Sequence, residues 1–279
     1  LGIEVRFATP DMTEEQVEAL FDDNTRAVFG ETIANPALTV LDIRHYAELA
    51  HRHQVPLLID NTFATPVLCR PFTFGADIVI HSTTKYMDGH GTVVGGVIVD
   101  SGNFDWAEAG KYPELTTPDE SYHGVIYSQQ FGRAAYITKA RMQLMRDIGA
   151  APQPLAAFLL DHGLETLALR MERHSSNGLQ FAEYLQQHPK VDWVEYPGLS
   201  SSSQYTLAKQ YLPKGASGVV VLGVKGFLEN GTNPGPCGYG EYLCPSPGQH
   251  NAPAAYGWPA GGCGNSSRNG SLLCRSRAY

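Results

Sequence analysis

Three short stretches concentrate side chains that can do chemistry: Asn35-Pro36, Asp60-Asn61-Thr62 and His81-Ser82-Thr83-Thr84-Lys85. Asn35, Asp60 and Lys85 stand 25 and 25 residues apart, one strand-and-connection step each in an alternating α/β chain. In open α/β sheets, ligands gather beyond the carboxyl ends of the strands, so this spacing can bring an amide, a carboxylate, hydroxyls and an amine to one rim. Singly, each residue has a mundane explanation. Asp60 can cap a turn, Ser82 and Thr84 can satisfy loop backbone, and Lys85 can sit in solvent. Together they suit pyridoxal phosphate (PLP), which needs a lysine for its Schiff base, a carboxylate at its ring nitrogen and small donors at its phosphate. Lys85 then serves as the covalent anchor and, once displaced by substrate, as the general base. Asp60 faces the pyridinium, each charge favouring the other, and Ser82 and Thr84 offer hydroxyls to the phosphate.

Other cofactors fit the spacing poorly. Gly89-x-Gly91 is followed by Gly95 and Gly96, which misses the G-x-G-x-x-G pattern of a dinucleotide site. Neither a G-x-x-x-x-G-K-[ST] loop nor an H-E-x-x-H pair is present. His51-x-His53 places two imidazoles on diverging sides of a helix, which disfavours a shared metal.

The elements that must carry these residues follow from apolar runs between turn signals. Arg26–Thr32, Leu57–Asp60, Ala76–Ser82 and Gly96–Val99 read as strands, and Thr39–His53 as an amphipathic helix. That alternation predicts an α/β fold with a mostly parallel sheet covered by helices. Beyond Asp100, Gln129–Asp147, Gln153–His162, Ser203–Tyr211 and a long Glu165–His188 read as helices. Trp193–Tyr196 and Gly218–Val224 are candidate strands of a second, smaller unit, with a boundary near Gly163. Residues 1–163 thus form a cofactor-binding domain and 164–226 part of a second α/β domain.

The chain has 279 residues, 43% of them hydrophobic and 17% charged, enough for a large core and against wholesale disorder. A net charge of −8 argues against a binder of nucleic-acid phosphates. Apolar runs such as Leu155–Leu160 are far shorter than a membrane span. The cysteines divide the chain unevenly. Only Cys69 precedes residue 227, whereas Cys237, Cys244, Cys263 and Cys274 crowd the last 53 residues, which also hold 10 of 29 glycines and no lysine. Those cysteines contain no C-x-x-C pair, so a zinc module is disfavoured and an irregular tail is expected.

At these residues the sequence resembles the PLP-dependent enzymes of cysteine and methionine metabolism, from Leu1 to about Gly226. The most specific elements are Asp60-Asn61-Thr62-Phe63-Ala64-Thr65-Pro66 and His81-Ser82-Thr83-Thr84-Lys85-Tyr86, continuing to Gly95-Gly96. The resemblance implies the fold type I architecture of PLP-dependent transferases, Lys85 as the Schiff-base lysine, Asp60 at the ring nitrogen, and Ser82 and Thr84 at the phosphate. It also implies Asn35 near the cofactor's phenolic oxygen and Thr62 supporting from behind. Ser121-Tyr122-His123-Gly124, Gly163-Leu164-Glu165-Thr166-Leu167 and Leu169-Arg170-Met171-Glu172-Arg173-His174 are most similar to the O-acetylhomoserine sulfhydrylase branch. That branch replaces the acetoxy group of O-acetylhomoserine with sulfide or methanethiol, a γ-replacement of methionine biosynthesis and transsulfuration. The alternatives are a γ-lyase, a cystathionine γ-synthase, or a non-catalytic fragment. The resemblance further implies a cytoplasmic homotetramer acting on small molecules.

The sequence departs from that family at both ends. The family's phosphate-binding Gly-Met, its ring-stacking Tyr, and the Tyr and Arg lent by a neighbouring subunit would lie upstream of Leu1, so the chain is expected to begin partway through a longer protein. Its later His-Pro-Ala-Ser-Thr-Thr-His and Arg-x-Ser-Val-Gly-x-Glu strings are absent after Gly226. Shifted one base downstream, allowed codons for Cys244–Asn251 permit Val-Leu-His-Pro-Ala-Ser-Thr-Thr, and those for Arg268–Ser276 permit Glu-Met-Val-Arg-Phe-Ser-Val-Gly-Leu. Residues 227–279 are therefore expected to be a frameshifted, disordered tail, which sequencing of the encoding DNA tests. Without a full phosphate cradle and carboxylate-gripping Arg, the chain is expected to bind PLP weakly and turn over little.

Overall fold

The computed structural model describes residues 2–225 and the backbone of Leu272–Ser276. Strand β1 (Ile3–Phe7) and the short helix α1 (Glu14–Glu18) lead into β2 (Thr25–Glu31), α2 (Ile43–Arg52), β3 (Leu57–Asp60), α3 (Thr65–Leu68), β4 (Ile78–Ser82) and β5 (Gly96–Asp100). Helical pieces α4 (Pro113–Thr116), α5 (Tyr127–Phe131), α6 (Ala135–Lys139) and α7 (Arg146–Ile148) follow, then α8 (Pro154–Glu165) and α9 (Leu167–Gln186). The described chain continues through β6 (Val191–Glu195), α10 (Tyr205–Tyr211) and β7 (Val221–Val224), with β8 at Leu272–Ser276.

Six strands form one sheet in the order β1-β8-β2-β3-β4-β5, and β6 and β7 form an antiparallel pair. Strands β2, β3 and β4 run parallel, so their carboxyl ends share one edge, while β5 returns antiparallel along β4. The α/β architecture expected from the apolar runs is therefore the one observed. Helix α2 begins later than its periodicity suggests, at Ile43, because the Asp42 carboxylate accepts the His45 N–H at 3.2 Å and starts the helix there. Val40 just before it is held in a β-bridge to Ile33. Ile43, Ala47, Leu49 and Ala50 of α2 are buried, joining the fully buried Leu57 and Ile59 of β3 in the main core.

Two expectations need correction. The helix expected over Gln129–Asp147 is broken into short segments. Gly132 sits at φ +52°, ψ −121°, outside helical space, and Ala140–Met145 is wound as a π-helix. Leu272–Ser276, within the tail expected to be disordered, is a strand running antiparallel to both β1 and β2. Its backbone satisfies the two facing strand edges that β1 and β2 would otherwise leave unpaired. The rest of that tail lies outside the described residues. Gly163, near which the sequence suggests a boundary, lies in α8, and the helical chain is interrupted at Thr166. One apolar cluster runs across that point, from Val28 and Ile59 to Met171, Tyr196 and Val220, and Tyr211 of α10 donates to Asp42 at 2.5 Å. No described helix is long and apolar enough to cross a membrane.

Candidate active site

The carboxyl edge of the parallel strands is where the chemistry collects. Glu31 ends β2 in register with Asp60, which ends β3 in register with Ile80 of β4. In-register neighbours point to one face, and Ser82, two residues on from Ile80, points the same way. A polar row of Glu31, Asp60 and Ser82 thus crosses three strand ends.

The row is joined by hydrogen bonds through Thr62. Oδ1 of Asp60 accepts the Thr62 N–H at 2.9 Å and the Thr62 hydroxyl at 2.5 Å. The same hydroxyl oxygen accepts the Ser82 N–H at 2.8 Å, which ties β3 to β4. Behind it, fully packed Asn61 donates to the carbonyls of Thr65 and Cys69 and accepts the Thr32 hydroxyl at 2.7 Å, bracing the ends of β2 and β3. Lys85 begins three residues past Ser82, whose carbonyl accepts the Lys85 N–H at 3.4 Å, and its side chain is exposed. The acid is therefore joined, through Thr62 and the Ser82 backbone, to the turn on which Lys85 stands.

Thr84 and Asn35 sit differently. The Thr84 hydroxyl accepts the Gly95 N–H at 3.0 Å and lies 3.3 Å from the Gly95 carbonyl, closing the loop onto the start of β5. A phosphate would compete with that carbonyl for the hydroxyl's one hydrogen. Asn35 is exposed, precedes a cis proline, and donates its N–H to Glu31 at 2.9 Å. With Glu31 it borders a cavity of about 480 Å³ that is also walled by Phe7, Phe29, His45 and Tyr46; Asp60 and Lys85 are not among its walls. His51 bonds to Asp77 and His53 to Glu18, so the two imidazoles serve separate partners. Among the described residues no cluster of three or more His, Cys, Asp or Glu side chains is arranged to hold a metal.

Glu31 is the residue that sequence reasoning missed. It was read only as strand, and nothing but the register places it beside Asp60. Burial raises its carboxyl above the ordinary range; the Asn35 N–H opposes this and the Asp60 charge adds to it. A folded-state value above the unfolded one gives a contribution to stability that is complete below the unfolded value and lost as pH rises through the folded one. Glu31→Gln is therefore expected to flatten the loss of stability between about pH 4 and neutrality. Urea titrations of both proteins across that range test it; parallel curves would refute the assignment.

A family model described as Cys/Met metabolism PLP-dependent enzyme matches residues 1–233. The chain belongs to that family. Within it, the chain is 49% identical over 226 residues to the homocysteine/cysteine synthase of Saccharomyces cerevisiae, covering 80% of this chain and 51% of that protein. It is 46% identical over 238 residues to the O-acetyl-L-homoserine sulfhydrylase of Leptospira meyeri, covering 82% and 53%. A crystal structure of a putative O-acetylhomoserine (thiol)-lyase from Campylobacter jejuni, with N'-pyridoxyl-lysine-5'-monophosphate, superposes with a TM-score of 0.72 at 35% identity, covering 76% of this chain and 52% of that one. This member of the Cys/Met metabolism family spans about half the length of the relatives it matches.

The donor set fits the family's cofactor. Asp60 has one oxygen held by Thr62, while its Oδ2 makes no hydrogen bond among the described residues and can accept a ring N–H. Ser82 ends the neighbouring strand on the same edge, and the exposed Lys85 follows three residues later.

Proposed function

We propose that the chain carries the PLP-binding core of an O-acetylhomoserine sulfhydrylase-type enzyme, which replaces the acetoxy group of O-acetylhomoserine with sulfide or methanethiol. The observation that carries this reading is the hydrogen-bonded path Asp60–Thr62–Ser82 leading to the Lys85 turn. In it Lys85 is the covalent anchor and the base that moves protons at the substrate's α and β carbons. Asp60 accepts the ring N–H, with Thr62 fixing which oxygen does so. Ser82 and Thr84 donate to the phosphate, and Asn35 stands on the phenolic-oxygen side. Bound PLP supplies an electron sink beside the substrate's α carbon. The names of the yeast and Leptospira relatives favour sulfhydrylation over γ-elimination. Small molecules, further copies of the chain and a cytoplasmic compartment complete the proposal.

The test supplies O-acetylhomoserine and sulfide with PLP and quantifies homocysteine and α-keto acid. Homocysteine above the protein-free rate supports the reading. Release of α-keto acid without homocysteine replaces it with a γ-lyase, and neither product leaves a non-catalytic fragment.

A further inference from the structure

The loop that carries Lys85 is held from a distant part of the chain by one guanidinium. Thr83–Gly89 folds back on itself, with the Asp88 N–H on the Thr83 carbonyl at 3.0 Å and the Gly89 N–H on the Lys85 carbonyl at 2.8 Å. The next two carbonyls, of Tyr86 and Met87, receive Nη1 and Nη2 of Arg170 at 2.7 and 3.4 Å. The same Nη2 donates to the Gly163 carbonyl at 2.6 Å, and Nε donates to the Thr166 hydroxyl at 3.0 Å. One side chain near the start of α9 thus fastens the lysine loop to the junction of α8 and α9.

The surrounding contacts leave little slack. A methyl group on Gly163 would lie 2.5 Å from the carbonyl oxygens of both Met87 and Asp88. One on Gly89 would lie 2.5 Å from Arg170 Nη1, and φ of +75° there also selects glycine. Across the loop, the Tyr86 hydroxyl accepts the Gly218 N–H at 3.2 Å. Arg170 is partly buried, so its bonds to carbonyls are shielded from water.

We propose that Arg170 is a positioning residue for Lys85: its forked donors freeze the turn that follows the lysine, so that the amine is presented at the rim rather than searching for it. This rests on the reading of Lys85 as the cofactor's anchor. The physical gain is orientation, since a catalytic group fixed before binding spares that entropy later. A lysine at 170 cannot reproduce it, because an ammonium lacks the planar fork that serves several carbonyls at once.

The experiment compares the parent chain with Arg170→Gln and Arg170→Lys. Hydrogen exchange of residues 86–89 is measured without cofactor. PLP affinity is then measured by titration, and the attachment site is mapped after borohydride reduction. Both variants are expected to exchange faster in that loop and to bind PLP about tenfold more weakly, the weight of one charge-assisted hydrogen bond. Arg170→Lys keeps the stem and the charge, so it decides the question if Arg170→Gln does not fold. A purely structural role would lower the melting temperature and leave loop exchange and PLP affinity like the parent's, which would overturn the proposal. Attachment of PLP to another lysine in the parent would remove the Lys85 assignment, and the clamp would then be judged on loop exchange alone.

Discussion

Lys85→Ala is expected to abolish covalent attachment of PLP, visible as loss of the absorbance band that the parent gives when the cofactor is added. Homocysteine formation should fall by about 10³-fold or more, since the proposed anchor and proton-moving base disappear together. Stability should barely change. The Lys85 side chain is exposed, so its removal leaves no buried group without a partner. Two other amines of this part of the chain are occupied: Lys111 donates to the His53 carbonyl at 2.9 Å, and Lys139 is paired with Asp119. Borohydride reduction followed by peptide mass analysis reads the outcome. A labelled peptide in Lys85→Ala, with the absorbance band retained, would end the proposed role of this residue.

The second large effect concerns Asp60, where two substitutions separate charge from architecture. Asp60→Asn keeps an oxygen for the Thr62 N–H and hydroxyl but removes the negative charge proposed to face the ring nitrogen. Turnover should drop by about 10²-fold, with the folded state largely intact. Asp60→Ala also deprives both Thr62 donors of their acceptor and should cost a further 1–3 kcal/mol of stability, approximately. Turnover assays and urea titrations of the pair make the comparison. Equal turnover in Asp60→Asn and the parent would mean that the carboxylate serves only the sheet.

Much of the rim is legible in the strand pattern. Asp60, Ser82 and Lys85 stand out because parallel strands end at one edge, and Leu57–Asp60 and Ala76–Ser82 announce themselves as apolar runs that turn polar. What could not be read was anything set by register. Glu31 looks like an ordinary strand residue until pairing sets it beside Asp60. Arg170 lies 84 residues beyond Tyr86, and no local pattern says that its donors end on that carbonyl. Residue type and the family resemblance point Thr84 to the phosphate; its engagement with Gly95 depends on how the loop closes. The long helix over Gln129–Asp147 failed for a local reason that was present in the sequence, the glycine at 132.

The hydroxyl of Thr62 gives its one hydrogen to Asp60 and accepts the N–H of Ser82. A hydroxyl that donates to one neighbour while accepting from the other polarises both bonds together, so the two ends of the recess strengthen or slacken as a unit. Whatever compound settles against the acid also steadies the backbone at Ser82 before its other end arrives. Fragments carrying only an aromatic nitrogen or only a phosphate should then assist one another's residence, a cooperativity stored in a threonine that itself touches neither.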